Sequence, residues 1–489
     1  MKSSPSLYQW LPLAFLAIFL TTVAATPFNI TRLLQGRQSR SGGIVSKALP
    51  EDFKRLYYQQ TLDHFNYKPE SYQRFQQRYV MLDKYWDKVD GAKTAPIFAY
   101  LGDENLLDSR IGSLTGYASD FKALLVYIEH RYYGESNPAT QENFKGSKNL
   151  GYLNSAQALA DYAEILIHIK EKNNAVESPI IVIGGSYGGM LAYWFRLKYP
   201  HIALGALASS APILYFDDIM RQNKITSAIS QIFKEASNKC YETIKQSWSE
   251  IDAAASRDRG LTKLSNTFKT CSELRHSSEL KNYLESLYMK AAQSGQPVVQ
   301  RMCESIDETP NQGEDGTLNK IFAGVVAALS DDTKCYVNPS SSLAFKWQRC
   351  SEILMPKRHG RSETMFEAVP PNQMELMTKE CQSLYSVTPR PHWLTTYYGG
   401  HNMKLILKSF GSNIIFSNGL KDPFRHGGVL EDISTTIHAV TIKDGGHCED
   451  IFPNAGTDSQ WLATVTRDEY KIIQKWITQY DTDRKSSSD

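Results

Sequence analysis

The sequence predicts an α/β protein in which a mainly parallel sheet, covered by helices, is interrupted by a helical, disulfide-bonded insertion. Three observations carry that expectation. Short apolar runs alternate with longer amphipathic segments at both ends of the chain. Between about residues 213 and 386 the strand-like runs largely vanish and helical periodicity takes over. Six of the seven cysteines, Cys240, Cys271, Cys303, Cys335, Cys350 and Cys381, fall in that same stretch, the mark of a locally cross-linked region in an oxidising compartment.

The elements follow in order. Residues 1–25 have the layout of a secretory signal peptide: Lys2, an apolar run from Leu11 to Leu20, then small residues ending Val23-Ala24-Ala25. That run is too short for a membrane anchor, which needs about 20 apolar residues. Residues 26–50 are polar and basic and read as a flexible leader or a propeptide; they hold the sequon Asn29-Ile30-Thr31, so Asn29 is the expected glycosylation site, while Pro339 disqualifies Asn338. In residues 51–212, the first half of the core, strands are expected at 95–101 (APIFAYL), 123–129 (ALLVYIE), 179–184 (PIIVIG) and 203–208. A helix is expected at 155–172, with Ala158, Leu159, Tyr162, Ile165, Leu166 and Ile169 at helical spacing. Residues 213–386 form the insertion. Residues 387–482 complete the core with strands at 413–417 (NIIFS) and 438–442 (HAVTI) and a terminal helix from Thr466, whose spacing to Glu469 reads as a capping box. Residues 483–489 are a polar tail.

Charge excludes some partners. With 54 Lys and Arg against 52 Asp and Glu, the 489-residue chain has a formal net charge of +2, which gives no general attraction to nucleic acid or anionic lipid. At 42% hydrophobic and 22% charged residues it is an ordinary globular protein.

The sharpest feature is Gly184-Gly185-Ser186-Tyr187-Gly188-Gly189, set between PIIVIG and an amphipathic segment. It satisfies Gly-x-Ser-x-Gly in strand-turn-helix context, the nucleophile elbow. A serine alcohol is a poor nucleophile, so it must be held where a base can take its proton. A sharp turn projects it outward, and the strained backbone needs neighbours without Cβ atoms. The amide of Tyr187, at a helix N-terminus, is left to stabilise an oxyanion. An elbow serine predicts an acid and then a histidine after late strands. Asp422 follows NIIFS, and His447 follows HAVTI in Asp444-Gly445-Gly446-His447. Asp432, Asp444 and Asp450 compete as the acid, with Asp432 expected inside a helix; His392, His401 and His426 compete as the base.

GGSYGGMLAYWFRLKYP, ALASSAPI, ALLVYIEHRYYGES, YYQQTLDHF, SNGLKDPF and GGHCED together resemble the prolyl carboxypeptidase group of serine exopeptidases, and within it most of all the Pro-X carboxypeptidases. The resemblance runs from about Tyr57 to the terminal helix. It implies an α/β-hydrolase fold with an inserted helical cap and cleavage next to proline. It places the nucleophile on Ser186, the acid on Asp422 and the base on His447. It also implies a second oxyanion amide at Glu104, an apolar proline pocket lined by Met190, Met355 and Phe424, and the disulfides Cys240–Cys303, Cys271–Cys335 and Cys350–Cys381. Those three apolar side chains read equally well as core.

The chain departs from the group's pattern in three places. Gly102-Asp103-Glu104-Asn105 stands where Gly-Asn-Glu-Gly is usual; Arg425 and His426 add charge and bulk beside Phe424; Cys448 and Glu449 follow the base where histidine and leucine are common. No CxxC or HExxH occurs, so neither metal nor cofactor is expected. The expected partners are proline-containing peptides, with a homodimer left open, and the expected location is the lysosome, the vacuole or the extracellular space. A carboxypeptidase, a dipeptidyl peptidase, an esterase and an inactive hydrolase fold used for binding are the competing functions.

Overall fold

A computed structural model describes residues 49–87, 95–138, 150–216, 219, 223–329, 335–338, 343–355, 364–453 and 459–486. The signal peptide, most of the leader and Asn29 lie outside the described residues.

Eight strands make one sheet: β1 (Lys54–Thr61), β2 (Arg74–Leu82), β3 (Ile97–Leu101), β4 (Leu124–Ile128), β5 (Ile180–Gly185), β6 (Gly205–Ser209), β7 (Ile414–Gly419) and β8 (Ile437–Ile442). Their order is β1-β2-β4-β3-β5-β6-β7-β8. β1 and β2 pair antiparallel with each other, as do β2 and β4; from β4 to β8 every pairing is parallel. This is the α/β-hydrolase fold.

The central strands β3 to β7 are buried at every position because both faces are covered. Ala99, Leu101, Val126, Val182, Ala206 and Phe416 pack on one face with the helices Ser155–Lys172 and Tyr187–Lys198. The alternate residues Phe98, Tyr100, Leu125, Ile183, Leu207 and Ile415 pack on the other, against Tyr117, Phe121 and the terminal-helix residues Ile473, Trp476 and Ile477. The antiparallel hairpin was invisible to periodicity. β1 (KRLYYQQT) is a largely exposed edge strand whose polar residues mask its alternation.

The terminal helix corrects one expectation. It spans Ser459–Ser486, so Thr466 sits two turns inside and is no cap. Its hydroxyl donates to the Leu462 carbonyl at 2.8 Å, and the buried Glu469 carboxylate accepts from Tyr117 at 2.6 Å. Tertiary burial, not capping, explains the Thr-x-x-Glu spacing. Asp432 is likewise outside any helix.

Between β6 and β7 lies the helical insertion, with its own core of Ile229, Phe233, Ile244, Trp248, Leu284, Tyr288, Met302 and Ile321. Disulfides join Cys240 to Cys303, Cys271 to Cys335 and Cys350 to Cys381. The last ties the helix Leu343–Ser351 to the helix Gln373–Tyr385.

Candidate active site

Parallel strands all point their carboxyl ends at one edge of the sheet, where connecting loops can converge. β5 ends at Gly185, and the chain turns at Ser186 into the helix Tyr187–Lys198. Ser186 takes φ 56° and ψ −119°, a left-handed conformation costly for a residue with a Cβ. The turn is possible because its neighbours are bare: a Cβ on Gly184 would collide with the Gly188 carbonyl, and one on Gly188 would lie 3.0 Å from the Leu101 carbonyl. Ser186 is the one residue from Ser178 to Phe195 that is not buried. Its amide donates to the Ser209 carbonyl at 2.9 Å.

His447 lies in the loop after β8, and its Nδ1 stands 2.6 Å from Asp422 Oδ2 in the loop after β7. The other oxygen of Asp422 accepts from the Phe424 amide at 2.9 Å. Asp422 is wholly buried, and the histidine side chain is 14% exposed. Burial works against the imidazolium, but the Asp422 charge and hydrogen bond, helped by Cys448, outweigh it and hold the imidazole well above its ordinary range. A methyl group on Gly185 would lie 2.9 Å from Cys448 Sγ. The residue before Ser186 thus touches the residue after His447. Both loops are also tied to the end of β6, where the Cys448 amide donates to Ser210 Oγ at 2.9 Å.

The rival acids are engaged elsewhere. Asp444 is exposed and paired with Lys421, Asp450 is buried and accepts from Ser209, and Asp432 is exposed and caps the Ala439 amide. Among the rival histidines, His392 and His401 sit 6.2 Å from each other, centroid to centroid, flanking the helix Trp393–Tyr398. His426 is partly buried beside Arg425, and burial with that charge lowers its pKa.

Tyr187 opens its helix, so its amide has no acceptor within the helix. The loop after β3 lies alongside, since the Gly188 position abuts both Leu101 and Asp103. Asp103 braces that loop by accepting from the Asn105 amide at 2.8 Å and pairing with Arg110 at 3.2 Å. Glu104 is the odd member: its Oε2 is buried with no hydrogen-bond partner. Burial, together with the Asp103 charge, pushes its carboxyl up to about 7, against a smaller opposing effect from His447. Of the pocket residues, Phe424 has its ring centroid 5.9 Å from that of His447 and packs on the insertion core. Met355 is partly exposed against the sheet core, and Met190 is buried within it at 1% exposure.

The insertion reaches the site in ways no local pattern signalled. The His447 amide donates to the Gln293 carbonyl at 3.3 Å, and Gln348 bonds the Tyr187 hydroxyl at 2.9 Å. A strained, half-buried serine on a loop that packs against the loop of a histidine held by a buried carboxylate has the parts for covalent acyl transfer.

Lysosomal Pro-X carboxypeptidase of Pongo abelii is 34% identical over 493 residues, covering 96% of both chains. The human protein of that name is 34% identical over 88% of this chain and 90% of its own. Human thymus-specific serine protease is 27% identical over 89% and 88%. The pattern of one family, described as serine carboxypeptidase S28, matches residues 60–469, and the chain belongs to that family.

Proposed function

We propose that the protein is a secretory-pathway exopeptidase that releases a C-terminal residue linked to a penultimate proline, acting in the lysosome, the vacuole or outside the cell. Ser186 is the nucleophile, His447 the general base, and Asp422 holds its imidazole in the working tautomer. Ser186 Oγ attacks the prolyl carbonyl while His447 takes its proton, and the amides of Tyr187 and Glu104 receive the oxyanion. His447 then protonates the leaving amine, and water hydrolyses the prolyl ester by the same route. The observation that carries this reading is the strained, half-buried Ser186, whose neighbour Gly185 packs against Cys448, the residue that follows His447 of the His447–Asp422 pair. Proline has a compact ring and no N–H, so an apolar wall such as Phe424 recognises it by shape.

One observation favours a second mode. The Oε2 of Glu104, buried without a hydrogen-bond partner, would suit the ammonium of an N-terminal dipeptide, as in a dipeptidyl peptidase. A peptide panel with proline penultimate from either end separates the two: release of the free C-terminal residue supports the carboxypeptidase, and release of a dipeptide replaces it. Labelling by a fluorophosphonate, absent in Ser186→Ala, is expected; a wild-type protein that neither labels nor cleaves is a binder instead.

A further inference from the structure

We propose that Gln348, supplied by the insertion, is a positioning residue that holds Tyr187 and thereby the oxyanion side of the elbow. The proposal rests on the roles given above to Ser186 and Tyr187.

Gln348 is fully buried and uses both ends of its amide. Its Nε2 donates to Tyr187 Oη at 2.9 Å and to Glu352 Oε1 at 3.2 Å, while its Oε1 accepts from the Tyr133 hydroxyl at 2.5 Å. Once ionised, above its raised pKa of about 7, Glu352 can only accept, and it then fixes which end of the amide faces it. Glu352 is itself anchored at the start of the helix Ser155–Lys172, where it accepts from the Ser155 amide at 2.9 Å and from its hydroxyl at 2.8 Å. A carboxylate there is favoured by the exposed amides and dipole of the helix N-terminus.

The chain continues on the far side of Tyr187. His130 Nδ1 stands 2.7 Å from the Arg131 carbonyl, so it carries the proton there and Nε2 is free to accept from Tyr187 Oη at 3.2 Å. Burial pushes His130 down to about 4, which keeps the ring neutral. The phenol thus donates to the loop after β4 and accepts from the insertion. That loop is rigid: Glu129 binds Arg78 at 2.6 Å and the amides of Glu135 and Ser136. The insertion end is pinned by the Cys350–Cys381 disulfide, whose Cys350 stands between Gln348 and Glu352 in sequence.

Tyr187 is the first residue of the elbow helix, so clamping its side chain from two sides limits rotation of the turn that presents its amide. A buried network of this kind is costly to leave partly satisfied, and its members act as a unit. Misplacing an oxyanion donor by about 1 Å slows chemistry by roughly 100-fold without weakening substrate binding.

The test compares Tyr187→Phe, Gln348→Leu and the double variant in the full-length protein. Tyr187→Phe removes one oxygen and keeps the other bonds of Gln348, so it reads the contact even if Gln348→Leu folds poorly. Each single variant is expected to lower kcat and the rate of Ser186 labelling by roughly 10- to 100-fold with KM little changed, and the double variant to be no slower than the worse single one. Gln348→Glu adds a pH readout. The new carboxyl faces Glu352, Tyr133 and Tyr187, with His130 on the far side of Tyr187 and Arg390 acting on Glu352. It donates to Tyr187 only when protonated, so its activity relative to wild type should rise as pH falls. Wild-type kcat in folded Tyr187→Phe, a rise in KM alone, additive losses in the double variant, or a flat Gln348→Glu ratio each overturn the proposal. Failure of the wild type itself to label at Ser186 overturns instead the reading beneath it.

Discussion

The sulfur of Cys448 packs against the bare α-carbon of Gly185, so the residue after the histidine and the residue before the serine meet across the sheet edge. A methyl group at 185 would lie 2.9 Å from that sulfur, 3.1 Å from Phe452 and 3.2 Å from Ile451. Overpacking of this kind costs about 1–3 kcal/mol. Gly185→Ala is therefore expected to lower stability by that amount and to reduce turnover, and Cys448→Ala to restore part of both in the double variant. Denaturation midpoints and peptidase rates of the four proteins check it.

Asp422 should matter through His447. Asp422→Asn keeps the shape but favours the wrong tautomer, and a fall in kcat of about 10⁴-fold is expected. Because the Asp422 charge and hydrogen bond raise the imidazole pKa against the effect of burial, wild-type kcat/KM should decline as pH falls through that raised value. In Asp422→Asn the residual acid limb should move to lower pH. A pH–rate profile of both proteins decides it.

Stability should be greater at mildly acid than at alkaline pH. Burial pushes Glu469 up to about 8 and Glu104 and Glu352 up to about 7. The folded chain keeps protons that the unfolded chain releases near the ordinary glutamate pKa of about 4.3, so their contribution is lost as pH rises through 7 and 8. His130, lowered to about 4, opposes this only on the acid side, as pH falls from about 6.5. Between pH 5 and 8 the melting temperature is expected to drop on the order of 5 °C, and Glu469→Gln should flatten the slope. Thermal scans across that range provide the check.

Phe424 should set selectivity. Its ring lies 5.9 Å from the His447 ring, centroid to centroid, at the boundary with the insertion. Phe424→Ala is expected to reduce kcat/KM for a penultimate-proline peptide by about 10- to 100-fold and to change a penultimate-alanine peptide less. Paired substrates measured on both proteins reveal the difference.

The elbow was legible because everything it needs is local: an apolar strand, bare glycines and a serine within a few residues of one another. The histidine and its acid were legible as positions after late strands, where chain order limits the choice. β1 was not, because an exposed edge strand built of Lys, Arg, Gln and Tyr carries no apolar alternation. Thr466 and Glu469 imitate a helix start, and only the burial of Glu469 against Tyr117 reveals a helix interior.

The sequence by itself determined the layered α/β architecture, the place of the insertion and the serine turn, since periodicity and glycine placement act over a few residues. Tertiary structure decided which aspartate meets His447, that Cys448 touches Gly185, and that Gln348 of the insertion reaches Tyr187, 161 positions away along the chain. Those contacts depend on how the sheet and the insertion pack together. No spacing along the chain encodes a distance that only folding closes.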